Sequence, residues 1–168
     1  EIGAEGLGVF SLLLGILITV NSVQTGWIGD SLTVLDRFDP GIRRALVHSQ
    51  WVFVALITVV CSVLAAQIDG IDATTAVLFG LASAAWALEE TLRRILIARR
   101  EFWSLVLNDS SFAVGSFGLL ILVVGSGSDI TIETMVLSLL AGAIVAIGVA
   151  IVQLPRIELI RGPLAPSR

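Results

Sequence analysis

Apolar residues run through this chain in five long blocks, and the polar residues collect between them. The blocks lie at about 6–29, 50–67, 73–94, 102–125 and 134–155, the fourth interrupted only by Asp109. About twenty apolar residues, rising 1.5 Å each, cross a hydrocarbon core about 30 Å thick. Lipid offers no hydrogen bonds to a backbone, so each block predicts a transmembrane helix. The expected fold is all-α: a polytopic helical bundle forming a single membrane domain over 1–168.

The connectors alternate in charge. The first, "DSLTVLDRFDPGIRRALVHSQ", holds Arg37, Arg43 and Arg44. The second has Asp69 and Asp72 with no base, the third Arg93, Arg94, Arg99 and Arg100. The fourth, "GSGSDITIE", is again acidic, and the tail carries Arg156, Arg161 and Arg168. The positive-inside rule puts all of these arginines in the cytoplasm, with residue 1 outside and residue 168 inside a cell membrane. An odd number of spans requires that opposition. Asp39 followed by Pro40 has the form of a helix N-cap and first-turn proline, so a helix should run from there into the second span.

Composition supports the membrane reading. Of 168 residues 56% are hydrophobic and only 14% charged, with a mean hydropathy of +0.98. A soluble domain carries about a quarter charged residues. Every base is arginine, the net charge is −4, and no basic patch with interleaved aromatics suggests a nucleic acid. Cys61, the only cysteine, lies in an apolar run and reads as a buried, inert thiol. The chain opens at Glu1 without methionine, which suggests a fragment or processed product of a longer protein.

Candidate chemistry concentrates in three places. In "WALEETLRRILIARREFW", Glu89 and Arg93 are four apart, as are Glu90 and Arg94, in the acid-first order that favours helical ion pairs. At a helix end the arginines can snorkel to the interface; alternatively, one pair faces a water-filled cavity and meets an anionic substrate. Asp109 follows Asn108 about two turns into the fourth span, where an aspartate is costly and points to a bundle interior or cavity. Asn21, Gln24 and Thr25 share one face of the first helix, either lining a polar passage or bonding to a neighbour.

Other features read as structure. Trp27, Trp51 and Trp103 fall where aromatic belts form, and Trp86 lies deeper, as packing. Gly142, Ala146 and Ala150 make a small-residue stripe for close helix contact. His48 is the lone histidine and has no metal-ligand companion. No phosphate-cradling loop or nucleophile motif is present. No cofactor and no catalysis are expected.

"GAEGLGVFSLLLGILITVNSVQTGWIGDSLTVL", with Gly3, Glu5, Gly8 and Phe10 in a G-x-E-x-x-G-x-F opening, resembles the second span of the polysaccharide biosynthesis flippases. "LRRILIARREFWSLVLND" is similar to that family's passage between its fourth and fifth spans. These proteins belong to the multidrug/oligosaccharidyl-lipid/polysaccharide exporter superfamily and export lipid-linked oligosaccharides. The resemblance implies an amino-terminal lobe, partnered by the remaining helices of the transporter, membrane lipid and a lipid-linked glycan. Alternating access would come from rocking against a second lobe. The family's cavity residues sit in no fixed motif, so Arg93, Arg94 and Asp109 are candidates from their own chemistry. Two rival expectations are a membrane scaffold or assembly subunit using the small-residue stripe, and an intramembrane enzyme using Asp109. The enzyme would need a second carboxylate or histidine at similar depth, and the spans show none.

Overall fold

The computed structural model describes residues 3–29, 39–98 and 101–153. These residues form five α-helices: α1 (Ala4–Gln24), α2 (Pro40–Ala65), α3 (Ala73–Ala98), α4 (Phe102–Gly125) and α5 (Ile132–Gln153). A π-helical turn, Thr25–Gly29, extends α1. Among the described residues the architecture is entirely helical, as expected. Arg37, Arg99, Arg100, Arg156, Arg161 and Arg168 lie outside the described residues, as do the last two positions of the fifth expected span.

The helix ends follow local chemistry. Asp39 accepts hydrogen bonds from the backbone N–H groups of Gly41 (2.6 Å) and Ile42 (3.3 Å), and Pro40 occupies the first turn. The helix begun there continues unbroken through Arg43, Arg44 and His48 into the second span. Asp72 accepts from the Thr75 N–H (3.2 Å) at the start of α3. Thr131 accepts from the Thr134 N–H (3.2 Å) at the start of α5. The α2–α3 and α4–α5 connections turn at Gly70 (φ 84°) and Gly127 (φ 76°), a left-handed backbone that glycine adopts without strain.

Four helical segments are long and apolar enough to cross a membrane: Ala4–Trp27, Pro40–Ala65, Phe102–Gly125 and Ile132–Gln153. The third expected span, on α3, falls short. Its 26 residues reach about 39 Å at 1.5 Å per residue, but alanine, serine, threonine and the charged turn at 89–94 dilute its apolarity. The packing explains how such a helix is accommodated. α3 is the centre of the bundle, lying against α2 and α5 along most of its length and touching α1 and α4. A helix enclosed by other helices need not be as apolar as one facing lipid. Large apolar side chains such as Leu56, Val114, Ile121 and Ile144 point outward instead.

The interior mixes small side chains with a few large ones. Leu13, Leu17, Ile57, Cys61, Ala65, Ala76, Phe79, Ala82, Ala87 and Val136 form one buried cluster, with the Cys61 thiol fully enclosed. Gly142, Ala146 and Ala150 are buried, so the stripe serves packing within the chain. A Cβ on Gly142 would collide with the Ser116 hydroxyl and come within 2.7 Å of the Phe112 carbonyl oxygen; one on Gly115 would approach the Gly142 Cα to 3.0 Å. α4 and α5 therefore meet at backbone distance. Gly80 plays the same part between α3 and α2, against Ser62 and the Thr58 carbonyl. Trp86 packs on Phe112 with ring centroids 5.4 Å apart, while Trp27, Trp51 and Trp103 are exposed, as belt residues are.

Two outcomes are expected. Gly142→Ala should destabilise the bundle by about 1–3 kcal/mol, because the Phe112 carbonyl cannot step aside. Gly148→Ala, where a Cβ meets nothing, should be neutral or slightly stabilising. Denaturant unfolding in detergent micelles would separate the two. The second concerns Asp72, whose carboxyl is held below the usual carboxylate range by hydrogen bonds from the Thr75 hydroxyl and N–H. A depressed folded value means its stabilisation is present above the unfolded value of about 3.9 and is lost as pH falls through the folded one. Stability curves of the wild type and Asp72→Asn should therefore differ at neutral pH and converge on strong acidification.

Candidate functional site

The α3–α4 connection is short, so the end of α3 and the beginning of α4 run antiparallel side by side. Residues 89–94 are thereby brought level with Asn108 and Asp109. Asn108 donates from Nδ2 to Glu89 Oε1 (2.6 Å), and Arg93 Nε lies 2.9 Å from Asp109 Oδ1. The expectation that Asp109 has no carboxylate at its own depth is corrected by this geometry. Glu89 and Glu90 are both there, supplied by the neighbouring helix and invisible to a span-by-span reading.

Of the two four-residue ion pairs expected, Glu90–Arg94 forms and Glu89–Arg93 does not. Glu90 takes both arginines: Arg94 Nε donates to its Oε1 and Arg93 Nη1 to its Oε2, each at 2.8 Å. Glu89 forms no ion pair with Arg93. The reason is competition, because Arg93 lies one turn from Glu90 on α3 and opposite Asp109 on α4, and bridges the two. Its Nε is close enough to Asp109 for an ion pair without being aligned for a hydrogen bond, and Nη2 reaches Asp109 Oδ2 at 3.5 Å. Both arginines are only about a third exposed, at 33% and 28%, and their head groups lie against the bundle.

Burial reverses the expected roles on α4. Asp109 is 48% exposed at the side chain, neutralised by Arg93 at the edge of the bundle. The interior position belongs to Asn108, which is fully buried, beside Glu89 and Glu90 at 4% each. Carboxylates at such burial require partners or a neutralising charge.

A second network uses another face of the same stretch of α3. Gln24 of α1 donates from Nε2 to the Ala87 carbonyl oxygen and to Thr91 Oγ1 (2.9 Å). Gln50 of α2 lies 3.0 Å from the same Thr91 hydroxyl through Oε1 and reaches the Ala87 carbonyl through Nε2 (3.5 Å). Arg94 Nη2 donates to Thr25 Oγ1 (3.3 Å), joining the π turn to the charged cluster. Of the polar face expected on α1, Gln24 and Thr25 bond to α3. Asn21 does not join them; its Oδ1 is enclosed without a partner. Gln50 and Thr91 were not foreseen as site residues. Their signal was weak: a glutamine at the edge of an apolar block, and a threonine between charged neighbours.

The chain matches no protein-family model, curated protein or solved structure at a significant level.

The two sides of the Glu90 clamp should respond unequally to mutation. Removing both Arg93 and Arg94 leaves a buried carboxylate stranded, at a cost of about 3 kcal/mol. Glu90→Gln leaves two partly exposed guanidiniums that can reach water or Asp109, costing about 1 kcal/mol after solvent screening. Unfolding titrations of the Arg93→Ala/Arg94→Ala pair and of Glu90→Gln would test the order; equal losses would contradict it.

Proposed function

We propose that this chain is a lobe of a membrane transporter that moves an amphiphilic, lipid-linked glycan across the cytoplasmic membrane by alternating access. The arginine-bearing end faces the cytoplasm in this reading, with residue 1 outside. The observation carrying it is the charged, hydrogen-bonded network that crosses an apolar bundle at one end, and reaches its edge at the half-exposed Arg93–Asp109 pair. Intramembrane charges mark substrate and ion pathways more than they serve stability. The head group passes beside Arg93 and Asp109 while the lipid tail stays against the outward apolar faces of the helices. The likeness to polysaccharide flippases in the Gly3–Phe10 opening and in the 92–109 passage supports the same class of substrate. A closed pathway then needs a facing second lobe.

The assembly-subunit reading finds less support. Its binding surface was the Gly142, Ala146 and Ala150 stripe, and that stripe is buried within this chain, with Gly142 against α4. An enzyme using Asp109 as acid has its second carboxylates in Glu89 and Glu90, yet Arg93 holds Asp109 and Glu90 together as a neutralised pair.

Arg93→Ala with Asp109→Ala in the transporter is expected to lower glycan export about tenfold, the equivalent of one well-made polar contact, at unchanged protein level. Asp109→Asn separates transport from folding, because it leaves Arg93 on Glu90 and changes a half-exposed side chain. It should keep stability and lose export, read as glycan appearing at the outer surface. Full export from Asp109→Asn would assign Asp109 to structure alone.

A further inference from the structure

α2 is longer than its crossing needs. Its 26 residues rise about 39 Å, whereas the hydrocarbon core is about 30 Å thick. The apolar block begins at Gln50, so the helix before it, about 15 Å long, lies at the level of the lipid head groups.

One side of α2 is turned away from the bundle along its whole length. Arg44, His48, Val52, Leu56, Val59 and Val63 follow one another at three- or four-residue spacing, and all are exposed. Trp51 stands beside His48 and Val52 and is 59% exposed. The opposite side, with Gln50, Ile57, Cys61 and Ala65, is buried. The chemistry of the outward side runs in the order of a phospholipid. A guanidinium and an imidazole come first, at head-group depth. An indole follows, the side chain that settles at the interface. Aliphatic side chains then cover about 16 Å from Val52 to Val63, close to the half-thickness of the core.

The charge on this side is uncompensated. α2 contains no acid, and Asp39 at its cap accepts from the Gly41 and Ile42 N–H groups. Among the described residues the ion pairs belong to Arg93 and Arg94, and Arg44 has none. Arg44 and His48 are one turn apart, with Cβ atoms about 5–6 Å from each other. A single phosphate group can therefore accept hydrogen bonds from both.

We propose that the outward side of α2 binds an anionic phospholipid, its phosphate held by Arg44 and His48. Trp51 lies against the glycerol region, and an acyl chain runs along Val52, Leu56 and Val59. This goes beyond the transporter reading and rests only on α2 crossing a bilayer. A zwitterionic lipid fits less well, because its ammonium group brings another positive charge to a face with no acid to receive it.

The test is quenching of tryptophan fluorescence in vesicles of equal phosphatidylglycerol and phosphatidylcholine, with brominated acyl chains on one lipid or the other. The Trp51 signal is the difference between the protein and Trp51→Phe; Trp103→Phe gives that of Trp103, exposed at the start of α4. Phosphatidylglycerol should be enriched about fivefold over phosphatidylcholine at Trp51, the preference one basic residue at a charged surface confers. Arg44→Gln should remove most of it and His48→Gln part of it, while Arg44→Lys keeps it. All these changes are at exposed side chains, and none should move the Trp103 signal. Equal quenching by the two lipids at Trp51 overturns the proposal. So does a preference that survives Arg44→Gln/His48→Gln, or one that falls equally at Trp103.

Discussion

Two adjacent carboxylates cannot be enclosed in an apolar bundle unless the protein itself supplies what water would have given them. That constraint acts on Glu89 and Glu90, and much of the structure at this end follows from it. Glu90 draws Arg93 and Arg94 inward. Arg93 in turn ties Asp109, so α4 must lie level with the end of α3. Arg94 reaches Thr25, which fixes the π turn at the end of α1. Asn108 is left as the hydrogen-bond donor to Glu89. Neighbouring acids on one helix thus set the register of two other elements against it.

The same constraint accounts for the place of α3. A helix with two glutamates and two arginines within two turns is poorly suited to lipid contact on all sides, and here it is wrapped by others. Wrapping requires close approach, and the small residues provide it: Gly80 against α2, and Ala76, Ala82 and Ala87 in the shared core. α4 and α5 close on each other at Gly115 and Gly142 by the same device. In hydrocarbon there is little hydrophobic drive between helices, so tight van der Waals contact and interhelical hydrogen bonds carry the association. Many of the bulky apolar residues are accordingly found outside, with Leu13, Leu17, Phe79 and Leu96 as the large side chains kept within.

Much of this was legible in the residues. The Asp39–Pro40 signal places the start of α2 where it occurs, 102–125 is found as written, and the Gly142 stripe packs as its spacing suggests. The faces of the helices were not legible. Where a helix is apolar all round, periodicity does not say which side meets a neighbour. Arg94 meets Glu90 by the spacing within α3, but Arg93 turns to Glu90 and not Glu89 where it faces Asp109 of α4, which the sequence of α3 does not show. Gln50 and Thr91 become a network only because α1, α2 and α3 meet at the Ala87 carbonyl. Asp109 drew attention by its charge, yet its uncharged neighbour Asn108 holds the interior position.

These parts are joined through one carboxylate. α1 is held to the bundle by Leu13 and Leu17 near its middle, and by Gln24 and Thr25 at its end. The last of these contacts is made by Arg94, whose other bond is to Glu90. Arg93, shared by Glu90 and Asp109, feels the field of Glu89 one turn away. Glu90 is thus the joint of this end of the bundle: through Arg93 it reaches Asp109 on α4, and through Arg94 it reaches Thr25 at the end of α1. Both elements are held to α3 by charge-assisted contacts as well as by packing, and in a low-dielectric interior such contacts are stronger than the same pairs in water.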